Sequence, residues 1–255
     1  MLIDSHCHLD LVENTTPDVL IDTAKSHGVS HFLSVSIDFE HLPHLLTISE
    51  QFDEVFASVG IHPNTTCETE ATVEELVSFA DHPKVIAIGE TGLDYYRSEG
   101  DLTWQHERFR THIEAAKQTQ KPLIVHTREA KADTLQTLKS ENARDVSGIM
   151  HCFVEDWETA KKAMDMNFYI SFSGIVTFKN AKVLHEVAKK MPLDYMLVET
   201  DSPYLAPVPY RGKTNQPAYV KYVAESIAKL RGDSVETIAT ATTDNFARLF
   251  NVNVQ

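Results

Sequence analysis

Lys84-Val85-Ile86-Ala87-Ile88-Gly89-Glu90-Thr91-Gly92-Leu93-Asp94 begins as a short apolar run, meets a glycine and then reaches a carboxylate. An apolar, β-branched stretch of this length reads as a strand covered on both faces, the kind found in parallel sheets. Downstream, Leu102 to Gln120 places Phe109, His112, Ile113 and Ala116 at helical spacing, and Leu123 to His126 is the next apolar run. Strand, helix and strand in that order make a βαβ unit with parallel strands. The alternation continues in both directions. Apolar runs recur at Leu2 to Ser5, His31 to Ser36, Glu54 to Gly60, Gly148 to Cys152, Phe168 to Ser171 and Tyr195 to Glu199, and Val183 to Lys190 is a further amphipathic helix. With Lys84 to Gly89 and Leu123 to His126 the runs number eight, and no break in composition divides them into halves. The pattern predicts an α/β fold, a (β/α)8 TIM barrel, regular or somewhat distorted, rather than an open doubly wound sheet. No Gly-x-Gly-x-x-Gly follows the first run, which removes the usual mark of a dinucleotide-binding fold. Gln216 to Phe250 reads as two helices split near Gly232, expected to cover the barrel exterior, the last being extra to the repeat.

Composition narrows the class. A chain of 255 residues, 42% hydrophobic and 24% charged, can bury a core without disulfides or structural metal, and a barrel of this size is commonly one domain. A single domain over residues 1–255 is expected, in which any metal would serve chemistry. Cys7, Cys67 and Cys152 are odd in number and lack Cys-x-x-Cys spacing, as suits a reducing compartment. With no leader pattern and no apolar stretch of roughly 18 residues, a cytoplasmic location without membrane contact is expected. A formal charge of −14 argues against a broad cationic face for duplex DNA, leaving room only for a small, local phosphate site.

Catalytic groups of such barrels stand at the C-terminal ends of the strands, where the loops open on one face. His6 and His8 terminate the first run two residues apart, so both imidazoles share a face while Cys7 points the other way. Glu90 follows the fourth run, His126 ends the fifth, His151 ends the sixth, and Asp201 follows the eighth. Any one of these alone reads as ordinary packing, but packing gives no reason for six imidazoles and carboxylates to gather on one rim. Six side chains exceed what one catalytic zinc uses while keeping an open position. Two divalent cations are therefore expected, with Glu90 bridging a His6/His8/Asp201 ion and a His126/His151 ion. Asp201 is also placed to accept a proton from water. Glu199, two residues before Asp201, either supports a ligand or water from behind or belongs to a buried salt bridge. Cys7 and Cys152 flank ligands and are expected to point away as small buried hydrophobes. His62, in Gly60-Ile61-His62-Pro63 after the third run, is placed to contact a phosphate oxygen. The Pro-rich loop after Asp201 carries Arg211, whose planar fork suits phosphate, Lys213, which is as readily a solvated charge, and Asn215, which orients either the loop or the substrate.

Taken together, Asp4-Ser5-His6-Cys7-His8-Leu9, Gly60-Ile61-His62-Pro63, Gly89-Glu90-Thr91-Gly92-Leu93-Asp94, His126-Thr127-Arg128-Glu129-Ala130, His151-Cys152-Phe153, Glu199 to Pro207 and Arg211-Gly212-Lys213-Thr214-Asn215 resemble the TatD-like metal-dependent deoxyribonucleases, within the metallo-dependent hydrolase superfamily. The resemblance spans nearly the whole chain. It implies a hydrolase of ester bonds, with deoxyribonuclease or 3′-to-5′ exonuclease activity on single-stranded DNA or RNA ends, and no obligate protein partner is evident. One departure stands out: the family's usual Ser-Gly after His-Cys-Phe is replaced by Val154-Glu155-Asp156, whose added carboxylates are expected to bear on how a polyanion approaches. The competing readings are a hydrolase of small carboxyl esters, amides or aminoacyl-tRNA on the same centre, and a metal-binding scaffold without activity. The ligand types admit Mg, Mn, Zn, Ni or Fe.

Overall fold

The computed structural model describes residues 1–254. Its strands are β1 (Leu2–Cys7), β2 (Val29–Ser34), β3 (Val55–Val59), β4 (Val85–Asp94), β5 (Leu123–Arg128), β6 (Gly148–Met150), β7 (Phe168–Phe172) and β8 (Met196–Val198). All ladders between neighbours are parallel, and the strands lie side by side in sequence order. The helices are α1 (Pro17–Ser26), α2 (Leu42–Gln51), α3 (Val73–Ala80), α4 (Thr103–Thr119), α5 (Lys131–Ser140), α6 (Trp157–Met164), α7 (Lys182–Lys190), α8 (Val220–Arg231) and α9 (Val235–Phe250). Local chemistry sets their ends. Thr72 and Glu75 form a capping box on α3, Asp156 and Ser234 cap α6 and α9, and Gly232 at φ 75° ends α8 in a left-handed turn. This is the barrel the sequence predicts, somewhat distorted. Among the described residues, no helix is long and apolar enough to cross a membrane.

The distortion lies at the seam between β8 and β1. There Asp201 N–H donates to His6 O (2.9 Å), Ser5 Oγ donates to Val198 O (3.0 Å), and Asp4 accepts from both the N–H and the hydroxyl of Thr200 (2.8 and 2.5 Å). A fully buried carboxyl thus fastens the first strand to the turn that carries Asp201. Burial drives the Asp4 carboxyl well above its ordinary pKa, against the lowering effect of the Thr200 bonds.

Two apolar layers flank the strands. One fills the space between strands and helices and contains Phe32, Phe109, Phe153, Phe168 and Phe172. The other draws Ile3, Leu33, Ile86, Ile124, Ile149, Tyr169 and Leu197 from seven strands, and so runs along the barrel axis. Phe246 and Phe250 of α9 complete this inner layer. Asn245 Nδ2 donates to Leu193 O and Met196 O at the start of β8, and Thr243 Oγ1 donates to Met1 O. Helix α9 therefore closes the N-terminal ends of the strands instead of joining α8 on the exterior, as its amphipathic pattern alone suggests. With that end plugged by aromatic rings, the opposite end carries the polar groups.

β4 runs on past Gly89 to Asp94, so Glu90 lies within a strand. Gly89 has φ 145°, and a Cβ there would stand 2.6 Å from Ile124 O, so only glycine lets β4 approach β5 this closely. The β4–β5 register shifts between Ile88 and Thr91, an irregularity of the kind that re-aims a side chain.

Candidate metal centre

Glu90 stands at the centre of the polar end, 2% exposed, and its two oxygens face different histidines. Oε2 is 3.4 Å from His6 Nε2 and 4.0 Å from His8 Nε2. Oε1 is 2.9 Å from His151 Nε2, 3.1 Å from His126 Nδ1 and 3.3 Å from His62 Nε2. Asp201 joins the first group, with Oδ1 3.6 Å from His6 Nε2 and 3.5 Å from His8 Nε2. The six residues singled out as ligands are thus brought together, and they divide around Glu90 into two sets.

Hydrogen bonds behind the rings decide which nitrogen faces inward. His8 Nδ1 is 2.8 Å from Val35 O, a contact that requires N–H on Nδ1 and leaves a lone pair on Nε2. His126 Nε2 is 3.0 Å from Asp94 Oδ2, which leaves the Nδ1 lone pair towards Glu90. His151 Nδ1 is 3.2 Å from Glu199 Oε1, which leaves Nε2 inward. The lone pairs therefore converge on carboxylate oxygens, and His6 Nε2 meets His8 Nε2 at 3.3 Å. Bare lone pairs repel at such distances, so the arrangement calls for positive charge between them. Three groups of residues, His6/His8/Glu90, His62/Glu90/His126 and His6/His151/Glu199, have donor atoms close enough to hold a cation. His62 differs from the others: its Nδ1 accepts from Asn64 N–H (3.0 Å), so Nε2 carries the proton and points inward as a donor.

The electrostatics likewise call for positive charge among these groups. Burial raises the Glu90 carboxyl, but His151, His62 and His126 outweigh it and hold the group well below the ordinary carboxylate range. Burial likewise opposes a charge on His8, yet the bond and charge of Asp201, with Glu90 and Asp10 behind, carry its pKa up to about 9. His151 is raised by Glu90 and Glu199 against the same burial. For His6, burial and the neighbouring His151 prevail, and its pKa falls. Asp201 at φ 56° and Cys152 at φ 44° both occupy the left-handed region beside the cluster, a strain on the order of 1–3 kcal/mol for each such residue.

The remaining residues singled out in the sequence lie outside this cluster. Arg211 is exposed and lies over the Phe178 ring at 4.3 Å, and no described contact joins it to the cluster. Asn215 is fully buried: Nδ2 donates to Thr200 O and Tyr204 O, and Oδ1 accepts from Gln216 N–H. It thus braces the loop, one of the two roles expected of it. Lys213 is exposed in the same loop, 5.9 Å from the Tyr210 ring. Cys7 is buried away from the ligands, its thiol on Leu33 O, but Cys152 follows the end of β6, where strand alternation no longer applies. Cys152 N–H donates to Glu199 Oε1 (2.6 Å), and burial with the charges of Asp201 and Glu199 drives its thiol pKa up. The carboxylates of the unusual Val154-Glu155-Asp156 segment are both held by Lys131, at 3.5 and 2.7 Å, so they do not confront an incoming anion unpaired.

Asp4 and Asp94 are the supporting carboxylates that sequence reasoning passed over. Asp94 lies two strand steps beyond Glu90 and so shares its face, a periodicity available in the sequence. Besides His126 it holds the N–H groups of Tyr96 and Arg97 (both 2.9 Å) and Asn64 Nδ2 (2.8 Å). Burial would raise this carboxyl, but those bonds keep it far below the ordinary range.

Residues 3–251 match the family described as TatD related DNase. The chain is 48% identical over 256 aligned positions to the uncharacterized metal-dependent hydrolase YcfH of Escherichia coli K12, covering 99% of this chain and 96% of that protein. It is 44% identical to the uncharacterized metal-dependent hydrolase YabD of Bacillus subtilis 168, with 99% and 100% covered. Among solved structures it is similar to YjjV, a TatD homologue from Escherichia coli K12, with a TM-score of 0.90, 26% identity, and 99% and 98% of the two chains covered.

Proposed function

The chain belongs to the TatD related DNase family of metal-dependent hydrolases, and from that membership and the geometry of the cluster we propose that it cleaves phosphodiester bonds, trimming single-stranded DNA or RNA ends from 3′ to 5′. One observation carries the reading: the two oxygens of Glu90 face two separate sets of inward lone pairs, the donor arrangement of a two-cation centre. His6, His8 and Asp201 would hold one divalent ion, His126 and His151 the other, and Glu90 both. Such a pair supplies a lowered pKa for water and a clamp on the attacked phosphoryl group. Mixed imidazole and carboxylate ligands suit Mg, Mn, Zn, Ni or Fe. The three unpaired cysteines support a cytoplasmic setting.

The protein groups have distinct work in this reaction. Asp201 has 14% of its side chain exposed, unlike the sealed His6 and Glu90, and so takes the proton from the attacking water. His62, whose proton is fixed on Nε2, donates to a phosphoryl oxygen as charge develops there. Asp94 and Glu199 keep the His126 and His151 rings in the ligating tautomer. Glu199 does more than that. The His6 and His151 rings are stacked with centroids 3.9 Å apart, and both His6 Nδ1 and Glu199 Oε2 are buried without a partner. One donor atom each of His6, His151 and Glu199 lies within 4.8 Å of the others, so this carboxylate stands beside a ligand of each ion and bonds His151 through Oε1. Glu199→Gln retains one acceptor oxygen and should weaken one ion by about 10- to 100-fold while sparing the other. Calorimetric titration with Mn²⁺ checks this, and unchanged affinity at both sites would rule the role out.

The function itself is tested by release of mononucleotides from labelled single strands. Metal-replete protein should release them stepwise from the 3′ end, and a chelator should stop the release. Strong turnover of carboxyl esters without any nucleotide release would overturn the phosphodiesterase reading.

A further inference from the structure

Above the cluster stand exposed aromatic rings and arginines that the metal chemistry does not use. Tyr204, three residues after Asp201, is 56% exposed, and its ring meets that of His8 edge-on at 6.3 Å. Arg97 donates its N–H to Asp94 Oδ1 (2.9 Å), as its neighbour Tyr96 does, and is exposed on this rim. On the other side, Arg128 lies two residues beyond His126 on β5, hence on the same face and one step further up the rim. Tyr96 is tied through its N–H to Asp94, the carboxylate that orients His126, and is 58% exposed. The Arg128 guanidinium lies 3.8 Å from the Tyr96 ring centroid. Among the described residues, no carboxylate lies within ion-pair distance of Arg97 or Arg128, although the chain carries a net charge of −14 and ties Lys25, Arg108, Lys131 and Arg231 to carboxylates.

Exposed rings with unpaired guanidinium groups beside them suit a ligand that is aromatic and anionic at once. A single-stranded nucleic acid end has both properties, because each base offers a π face and each linkage a charge. A small uncharged carboxyl ester has no use for the arginines. We propose that Tyr204 on the His8 side and the Tyr96–Arg128 pair on the His126 side take the bases flanking the scissile phosphate, while Arg97 and Arg128 meet backbone phosphates. The proposal rests on the phosphodiesterase reading and adds what that reading lacks, the contacts that select a nucleotide over any other phosphodiester.

Single-stranded deoxyoligonucleotides with either natural or abasic 3′-terminal nucleotides provide the test, with metal-replete protein. The wild-type KM should be about tenfold lower for the base-bearing end. In Tyr204→Ala the ratio should collapse towards one, and in Tyr204→Phe, which keeps the ring, it should persist. Arg128→Ala should raise KM for both ends and reduce the slope of log KM against log salt by about 0.7, the value for one lost single-strand phosphate contact. A wild-type protein that cleaves both ends with equal KM, or a ratio that survives in Tyr204→Ala, overturns the rim and leaves the nuclease intact. A protein that cleaves neither strand while hydrolysing carboxyl esters overturns both.

Discussion

Glu90→Ala is expected to lower turnover of single-stranded DNA by about a thousandfold or more and to leave the protein with at most one weakly held ion. Each ion of the proposed pair would lose a ligand, because Oε2 faces the His6/His8 set and Oε1 the His126/His151 set. Removing a single preorganised charge-stabilising group typically costs a factor of about 10² to 10³. Loss of the bridge removes two such contributions together. Glu90→Gln sharpens the comparison, since it keeps the volume of a side chain packed in a buried site but offers only one neutral oxygen. It should behave like Glu90→Ala in metal content and remain folded by circular dichroism. Turnover within tenfold of wild type in either variant would mean that Glu90 is not the bridge.

Asp201→Asn separates a ligand from a base. Asp201 Oδ1 faces His6 and His8, and its pKa is lowered because the His8 bond and the nearby histidines outweigh burial. The carboxylate is ionised at neutral pH and so has a lone pair for a proton, but its lowered pKa makes it a weaker base, which leaves its role as ligand to be separated from its role as base. Its replacement should lower kcat by about 10² to 10⁴, with KM for the oligonucleotide little changed. Saturating metal distinguishes the two roles. If Asp201 only holds an ion, excess Mn²⁺ restores kcat; if it takes the proton from water, kcat stays low with both sites filled. Full recovery at high metal would remove Asp201 from the proton-transfer step.

The barrel and the meeting of six side chains were legible because they follow from periodicity. Apolar runs alternating with amphipathic helices specify parallel βαβ units, and residues at the ends of parallel strands converge on one face whatever the details of packing. Other features depend on tertiary context that no local pattern carries. The amphipathic stripe of α9 shows that one face is buried but not which end of the barrel buries it, and Phe246 and Phe250 turn out to plug the bottom. Gly89 reads as a strand terminus, yet it permits a close approach of β4 to β5, and the strand continues to Asp94. The phosphate-binding role expected of Arg211 rests on its place in a loop, and loop side chains can face any direction. Arg211 packs on Phe178 and Asn215 braces the loop backbone. Tyr96 and Arg128 had the correct spacing from Asp94 and His126, but only the fold brings their side chains together above the site.

The proposed two-cation centre with Glu90 as its bridge is tested most directly by anomalous diffraction from crystals of the Mn²⁺-loaded protein. Two peaks about 3.5–4 Å apart are predicted, one beside His6, His8 and Asp201 and the other beside His126 and His151, with one oxygen of Glu90 directed at each. A single peak at full loading, or two peaks with Glu90 bound to only one of them, would contradict it.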